Sequence, residues 1–292
     1  MAQRLKGKVA VVTGGGGGIG RAIAIDLASE GAKIVVNDLG VWTADKQVAE
    51  QFADPVVQEI KQSGGEAVAN SDDVATTAGG EKIIKTAIEA FGRIDILVCC
   101  AGNYKPNAID ETTEEEWDSI MSVHVKGHFN CIKPAASHMK QQKSGRIITF
   151  SSLGAFGLGK SPAYSTAKAG ILGLSSSLAR ELGEYGITVN CIFPSAMTRL
   201  FPTDRVALYG IPPAKPAGSE MVAPMIAYLC TDEAGDINGE FFYVGGKDIG
   251  LYPQERRAMQ LLHKAEGKWT MDELVELVPQ TFGVNLHEPY KP

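Results

Sequence analysis

Tyr164 and Lys168 stand four residues apart in Tyr164-Ser165-Thr166-Ala167-Lys168, so a helix would carry both on one face. A phenol ionises at about pH 10 and exchanges protons poorly near neutrality. A cation held beside it favours the phenolate and makes proton transfer with a substrate hydroxyl or carbonyl feasible. Two hydroxyls, Ser151 and Ser152, follow the run Gly145-Arg146-Ile147-Ile148-Thr149-Phe150, and either could hold the oxygen being transformed. A half-buried tyrosine beside a surface lysine gives the same spacing. The chemistry therefore depends on the elements that position the set.

Lys8 to Thr13 is a short apolar, β-branched run that ends in five glycines, Gly14 to Gly18, then Ile19-Gly20. Ala22, Ile23, Ile25, Asp26 and Leu27 then follow a helical pattern up to Gly31. Strand, glycine turn and helix let backbone N–H groups at a helix N-terminus approach a pyrophosphate. The next strand, Lys33 to Asp38, ends in a carboxylate where a dinucleotide site needs one for a ribose diol. Asp38 predicts NAD over NADP, because a 2′-phosphate would meet like charge there.

Further strands are predicted at 66–70, 94–100, 145–150, 188–193 and 241–244, alternating with helices; Thr113-x-x-Glu116 opens a long one through about Met139. This alternation predicts one doubly wound α/β domain with a mostly parallel, seven-stranded sheet of Rossmann type. Residues 39–53 read as an insertion near the adenosine end of the cofactor. Residues 195–219, rich in proline and large apolar side chains, read as a cover loop. The catalytic domain is placed at 1–250. A helical extension at 251–292, with helices at 254–266 and 270–282, is expected to pack on the domain or on a partner subunit.

The net charge of −6 gives nucleic-acid binding no electrostatic support, and no apolar run approaches a membrane span. Five cysteines without a CxxC pair read as buried thiols of a reducing compartment, taken as the cytoplasm. No metal site is expected.

Together these motifs resemble the short-chain dehydrogenase/reductase family over residues 5 to about 250. The family's Thr-Gly-x-x-x-Gly-Ile-Gly stands as Thr13, Gly14, Gly18, Ile19 and Gly20, and its adenine contact as Asp73-Val74. The resemblance implies a general acid–base role for Tyr164. It gives Lys168 the tasks of lowering the phenol pKa and binding the nicotinamide ribose. Strand direction points to Ser152 as the catalytic serine, and spacing back from Tyr164 points to Ser151. Pro194-Ser195 replaces Pro-Gly, with Thr198 where the carboxamide is usually touched. The family's Asn-Asn-Ala-Gly is Cys99-Cys100-Ala101-Gly102 here, so the backbone on the nicotinamide side could be less firmly tied. His124 occupies the place of a helical asparagine whose carbonyl serves a proton relay; it could titrate there or be merely packed.

Within the family, Val36 to Gly40, Val123 to Gly127 and Gly239 to Gly250 look like the (3R)-hydroxyacyl-CoA dehydrogenase portion of multifunctional β-oxidation enzymes. Members of that group also oxidise 17β-hydroxysteroids. The resemblance implies an apolar small-molecule substrate, CoA-linked or steroid-like, and oxidation by NAD. The alternatives are a 3-oxoacyl reductase working in the reductive direction and a non-catalytic NAD-binding regulator. A homotetramer is expected, paired through the helices at about 114–139 and around Tyr164, with Ile120, Val123, Phe129, Ile171, Leu174 and Leu178 as surplus apolar residues.

Overall fold

The computed structural model describes residues 3–42, 48–50, 52–198, 217–253 and 270–282. The chain divides into two units, Met1–Tyr252 and Pro253–Pro292. In the first, strands β1 (Val9–Thr13), β2 (Lys33–Asn37), β5 (Ala67–Asn70), β6 (Ile96–Cys99), β7 (Gly145–Phe150), β8 (Ile187–Ser195), β9 (Phe241–Gly245) and β10 (Asp248–Tyr252) form one sheet. Its order is β10-β9-β8-β7-β6-β1-β2-β5. Residues of β1, β6 and β7 are buried throughout, as expected of strands covered on both faces.

Helices cover both faces. On one side α1 (Gly18–Ser29), α2 (Ala53–Gln62) and α7 (Ala223–Leu229) bury Ile23, Leu27, Val56, Ile60, Ile226 and Leu229. On the other, α3 (Thr77–Phe91), α5 (Gly127–Gln142) and α6 (Pro162–Leu182) bury Ile83, Ala87, Ala135, Met139, Ala179 and Leu182. The order reverses between β1 and β6, which opens a crevice at their carboxyl ends, where ligands of such sheets bind.

The sheet has eight strands, one more than expected. Beyond β9 the chain turns at Gly246 (φ 57°) and returns antiparallel as β10, so it stays in the sheet to Tyr252 rather than leaving at 250. The insertion contains a small antiparallel ladder, β3 (Val41–Trp42) with β4 (Val48–Glu50). The long helix is really α4 (Glu114–Met121), a π turn at Ser122–Lys126, and α5. The capping box at Thr113 and Glu116 forms as read.

Ile120 and Ile171 are fully buried, so they are core residues rather than surplus interface residues. Phe129 is exposed, and Val123, Leu174 and Leu178 are half-buried against the core. Most of the expected cover loop (199–216) and the helix expected at 254–266 lie outside the described residues. In the second unit α8 (Met271–Phe282) forms, with Thr270 Oγ1 accepting the Glu273 N–H at 3.3 Å.

Candidate active site

The turn after β1 is shaped by close approach. Gly14 has φ 67°, and a Cβ there would lie 2.8 Å from Ala101 Cα. A Cβ on Gly20 would lie 2.1 Å from the Gly14 carbonyl oxygen, so the first turn of α1 can rest on the turn only without a side chain. Gly17 caps α1 without a side-chain hydrogen bond, and the first turn holds no acidic residue. The positive end of the helix dipole is thus left for an external anion, an arrangement that fits a dinucleotide pyrophosphate. Gly18 faces Thr198, whose side chain would be 3.5 Å from a Cβ there. Ile19 packs half-buried against the core.

Asp38 follows β2 directly. Its Oδ2 accepts the Gly16 N–H (3.0 Å) and its Oδ1 the Gly40 N–H (2.9 Å). These bonds aim the carboxylate across the glycine turn, and Phe52 from the insertion closes in beside Gly16 and Asp38. Asp73 and Val74 follow β5 before α3. Asp73 Oδ1 accepts the Ala75 N–H (2.9 Å), the Val74 side chain is in the core, and the Val74 carbonyl accepts from Asn130 Nδ2 at 2.8 Å. Any adenine contact by this pair would come from the main chain or the rim of Asp73.

Cys100 replaces an asparagine without leaving the backbone loose. Thr13 Oγ1 accepts the N–H groups of both Cys100 (3.1 Å) and Ala101 (3.3 Å). Burial pushes the Cys100 thiol up to about 12, so it stays protonated and unreactive. Gly102 leaves room for the His124 ring, whose Cε1 would be 2.7 Å from a Cβ there. Pro194 lies near the end of β8, paired with Val244 on β9.

Tyr164 and Lys168 lie on α6, each 5% exposed. Lys168 Nζ is 5.6 Å from the centre of the Tyr164 ring and donates to the Phe150 carbonyl at 2.8 Å. Burial lowers the Lys168 pKa to about 8, with the Cys100 and Cys191 thiols opposing. The ring of Tyr164 is held edge-on between Tyr104 (centroids 5.1 Å) and His124 (5.4 Å). Tyr104 in turn shares a 2.9 Å hydrogen bond with Ser161.

The two serines separate clearly. Ser151 is buried and donates to the Lys168 carbonyl at 2.8 Å, which locks α6 to the end of β7. Ser152 is half-buried and accepts the Gly154 N–H at 3.1 Å, so its own O–H remains able to donate. A Cβ on Gly154 would stand 3.4 Å from Ser152 Oγ and 3.2 Å from Tyr164 Cε1, which makes hydroxyl and phenol ring neighbours.

His124 sits in the π turn, a helical distortion frequent at functional sites. Its Nε2 is 2.8 Å from the Asn103 carbonyl. Nδ1 of His124 and Oδ1 of Asn103 are buried without a partner among the described residues. Burial, then the charge of Lys168, push His124 well below its ordinary value despite the bond to Asn103. It is a packed, neutral ring near neutral pH rather than a titrating one. Tyr104, His128 and Asn130 shape the site and were absent from the sequence-based set, while Thr13 was read only as the start of the glycine motif. Only His128, one helical turn after His124, offered a spacing that could have marked it.

The model of the short chain dehydrogenase family matches residues 8–201. A peroxisomal hydratase-dehydrogenase-epimerase of Neurospora crassa is 40% identical over 283 residues, which are 94% of this chain but only 30% of that protein. The chain thus spans about a third of the length of that multifunctional relative. A 3-oxoacyl-[acyl-carrier-protein] reductase of Staphylococcus aureus is 38% identical over 84% of this chain and 98% of its own. The solved structure of a short chain dehydrogenase from Mycobacterium avium superposes with a TM-score of 0.83 at 38% identity, covering 96% of this chain and 95% of that one. A phenol over a buried ammonium, beside a glycine turn at the switch point of a parallel sheet, is what an oxidoreductase acting on CH–OH with a nicotinamide cofactor needs, and the chain belongs to the short chain dehydrogenase family.

Proposed function

We propose that the chain interconverts a secondary alcohol and its ketone with NAD, on a 3-hydroxyacyl thioester or a steroid-sized alcohol. The carrying observation is Lys168 Nζ, buried beneath the Tyr164 ring and fixed to the Phe150 carbonyl. An ammonium so placed favours the phenolate by charge, and its own lowered pKa brings the pair toward neutrality. In oxidation Tyr164 takes the hydroxyl proton while the carbinol hydrogen leaves as hydride. Ser152 donates to the substrate oxygen, since the Ser151 proton is given to the Lys168 carbonyl. A nicotinamide held here would supply the hydride acceptor in oxidation and the donor in reduction. In reduction the same phenol returns the proton.

The glycine turn from Gly14 to Gly20 and the uncapped end of α1 would receive the pyrophosphate. Asp38 would receive the adenosine ribose diol and repel a 2′-phosphate, which is the reason for choosing NAD. Cys100, Ala101, Gly102, Pro194 and Thr198 would line the nicotinamide side, with Lys168 at its ribose. An apolar substrate is supported by the aromatic group at the end of β8. Phe156, 41% exposed, stacks on Tyr252 at 5.9 Å, and Phe193 packs beneath both. Names of the relatives point the same way: a 3-oxoacyl reductase and an enzyme of several activities that include a dehydrogenase.

A homotetramer paired through α5 and α6 would cover Phe129 and the half-buried Val123, Leu174 and Leu178. The C-terminal unit would pack on the domain or a partner subunit. Among the described residues no helix is long and apolar enough to cross a membrane, and buried free thiols suit a reducing compartment such as the cytoplasm.

The test is a panel of 3-hydroxyacyl-CoAs and hydroxysteroids followed by NADH formation, with the reverse reaction run on the ketones. kcat/KM should rise by about tenfold or more from a four-carbon to a long-chain or steroid substrate, at roughly 0.8 kcal/mol per buried methylene. A flat or falling trend, or a preference for sugars, removes the substrate assignment and leaves the hydride chemistry.

A further inference from the structure

Ser161 precedes α6 and stands where a serine ordinarily caps a helix by accepting an N–H of the first turn. Here its hydroxyl makes no such bond. Ser161 Oγ lies 2.7 Å from the Lys160 carbonyl oxygen and 2.9 Å from the Tyr104 hydroxyl. A carbonyl can only accept, so the Ser161 proton goes to Lys160 and Tyr104 is the donor in the second bond. Lys160 has φ 56°, a left-handed conformation that a side chain disfavours and that its surroundings must enforce. Tyr104, Ser161 and Lys160 thus tie a strained entry into the catalytic helix to the loop after β6. One turn further on, the ring of the same Tyr104 stands perpendicular to Tyr164 (centroids 5.1 Å, planes 82° apart). The second perpendicular neighbour of Tyr164 is His124, whose Nε2 is held at the Asn103 carbonyl. Two consecutive residues, Asn103 and Tyr104, therefore set both rings that flank the phenol.

We propose that Tyr104 is a positioning residue of the reaction: with its hydroxyl fixed on Ser161, its ring is the wall that keeps the Tyr164 ring over the Lys168 ammonium. The inference rests on the acid–base role proposed above for Tyr164. Ser161 and Tyr164 are three residues apart, so they share a face at the start of α6 and one side chain can meet both. A phenol swings about its own side-chain bonds unless neighbours block it, and proton transfer needs its oxygen in one place. Without the Tyr104 ring, Tyr164 gains room to leave Lys168 Nζ, now 5.6 Å from its ring centre. The phenolate then loses part of the charge that favours it. Without the Tyr104 hydroxyl alone, the wall stays but is no longer tied. The titratable groups around the phenol are Lys168 on α6, His124 in the π turn and Tyr104 itself. Behind Lys168 stand the thiols of Cys100 and Cys191, and His128 of α5.

Kinetics against pH, with NAD and a long-chain 3-hydroxyacyl-CoA, test it in four variants. Tyr104→Leu removes ring and hydroxyl together. It should lower kcat by about tenfold or more while KM for NAD changes by less than about twofold. Oxidation needs the phenolate, so the pH midpoint of kcat should move upward in that variant as the phenol parts from the ammonium. Tyr104→Phe keeps the wall and loses the tie, and should cost about twofold to fivefold in kcat. Ser161→Ala should cost at least as much, because it frees Lys160 as well. The double variant Tyr104→Phe/Ser161→Ala should lose no more than Ser161→Ala alone, since both changes break one bond. Tyr104→Leu with wild-type kcat, or with a lowered kcat and an unmoved midpoint, overturns the proposal; so do losses that multiply in the double variant. Should Tyr104→Leu fail to fold, the near-isosteric Tyr104→Phe and Ser161→Ala decide by their coupling. Tyr164→Phe separates the two readings. If that variant keeps its turnover, the acid–base assignment fails whatever Tyr104 does.

Discussion

The two ends of the crevice are built on opposite plans. At the glycine turn the main chain is the reagent: N–H groups at the start of α1 face outward, and the residues contribute by having no side chain. At the Tyr164 corner side chains are the reagents, and the main chain serves as their anchor. Lys168, Ser151, His128 and His124 all bond to carbonyls, those of Phe150, Lys168, His124 and Asn103. A site made by removing side chains is sensitive to bulk. A site made by anchoring them is sensitive to lost hydrogen bonds and to charge.

Tyr164→Phe should produce the largest effect. Turnover should fall by about 10²–10⁴-fold with cofactor affinity near wild type, because a proton-transfer group is lost and the packing between Tyr104 and His124 is kept. Cofactor titration by fluorescence beside steady-state kinetics checks this, and parallel losses in both would mean that the two ends are not independent.

Gly20→Ala attacks the other end by bulk alone. The new methyl must displace the Gly14 carbonyl, so NAD binding should weaken by about tenfold or more and stability should fall by roughly 1–3 kcal/mol. Calorimetric NAD titration and urea unfolding measure both; wild-type affinity would show that the turn yields.

Asp38→Ser tests charge at the glycine end. The ratio of kcat/KM for NAD over NADP should drop by about tenfold or more, since the carboxylate that would face the 2′-phosphate is gone. An unchanged ratio would place cofactor choice elsewhere.

The smallest effect concerns Lys168 without cofactor. Its pKa is lowered to about 8 in the fold, against about 10.4 in the unfolded chain. Between those values the unfolded chain binds more protons, so this group makes stability rise with pH. Urea unfolding of wild type and Lys168→Met from about pH 7.5 to 9.5 should show wild type gaining relative to the variant. Parallel curves would mean that the ammonium is better solvated than its burial implies.

The two plans also differ in how visible they are in the sequence. Glycines, a strand-end aspartate and a Tyr/Lys pair at helical spacing are local patterns, and each forms where it was read. Properties of the tertiary environment were hidden. Ser151 and Ser152 are chemically alike, and only the direction of the last β7 residues sends one hydroxyl to Lys168 and leaves the other beside the phenol. The π turn has no composition of its own, and it splits a helix that periodicity reads as continuous. Ile120 and Ile171 looked like surplus apolar residues because one helical stripe seemed full, yet α6 buries Ile120, and Ile171 packs on Cys191, Phe193 and Phe241 of the sheet. β10 escaped because Gly250 interrupts its alternation, and pairing with β9 overrides that weakness.

The place of β1 inside the sheet, between β2 and β6, also sets an order in time. Val9–Thr13 pairs with Lys33–Asn37, close along the chain, and with Ile96–Cys99, far along it. One edge of β1 must therefore stay open while β2 and β5 form, and the crevice cannot exist until β6 arrives. Closure entropy makes that second pairing slow and leaves an unpaired apolar edge exposed meanwhile. Pulse-labelled hydrogen exchange during refolding should show amides between β1 and β2 protected before those between β1 and β6; simultaneous protection would mean that the sheet closes in one step.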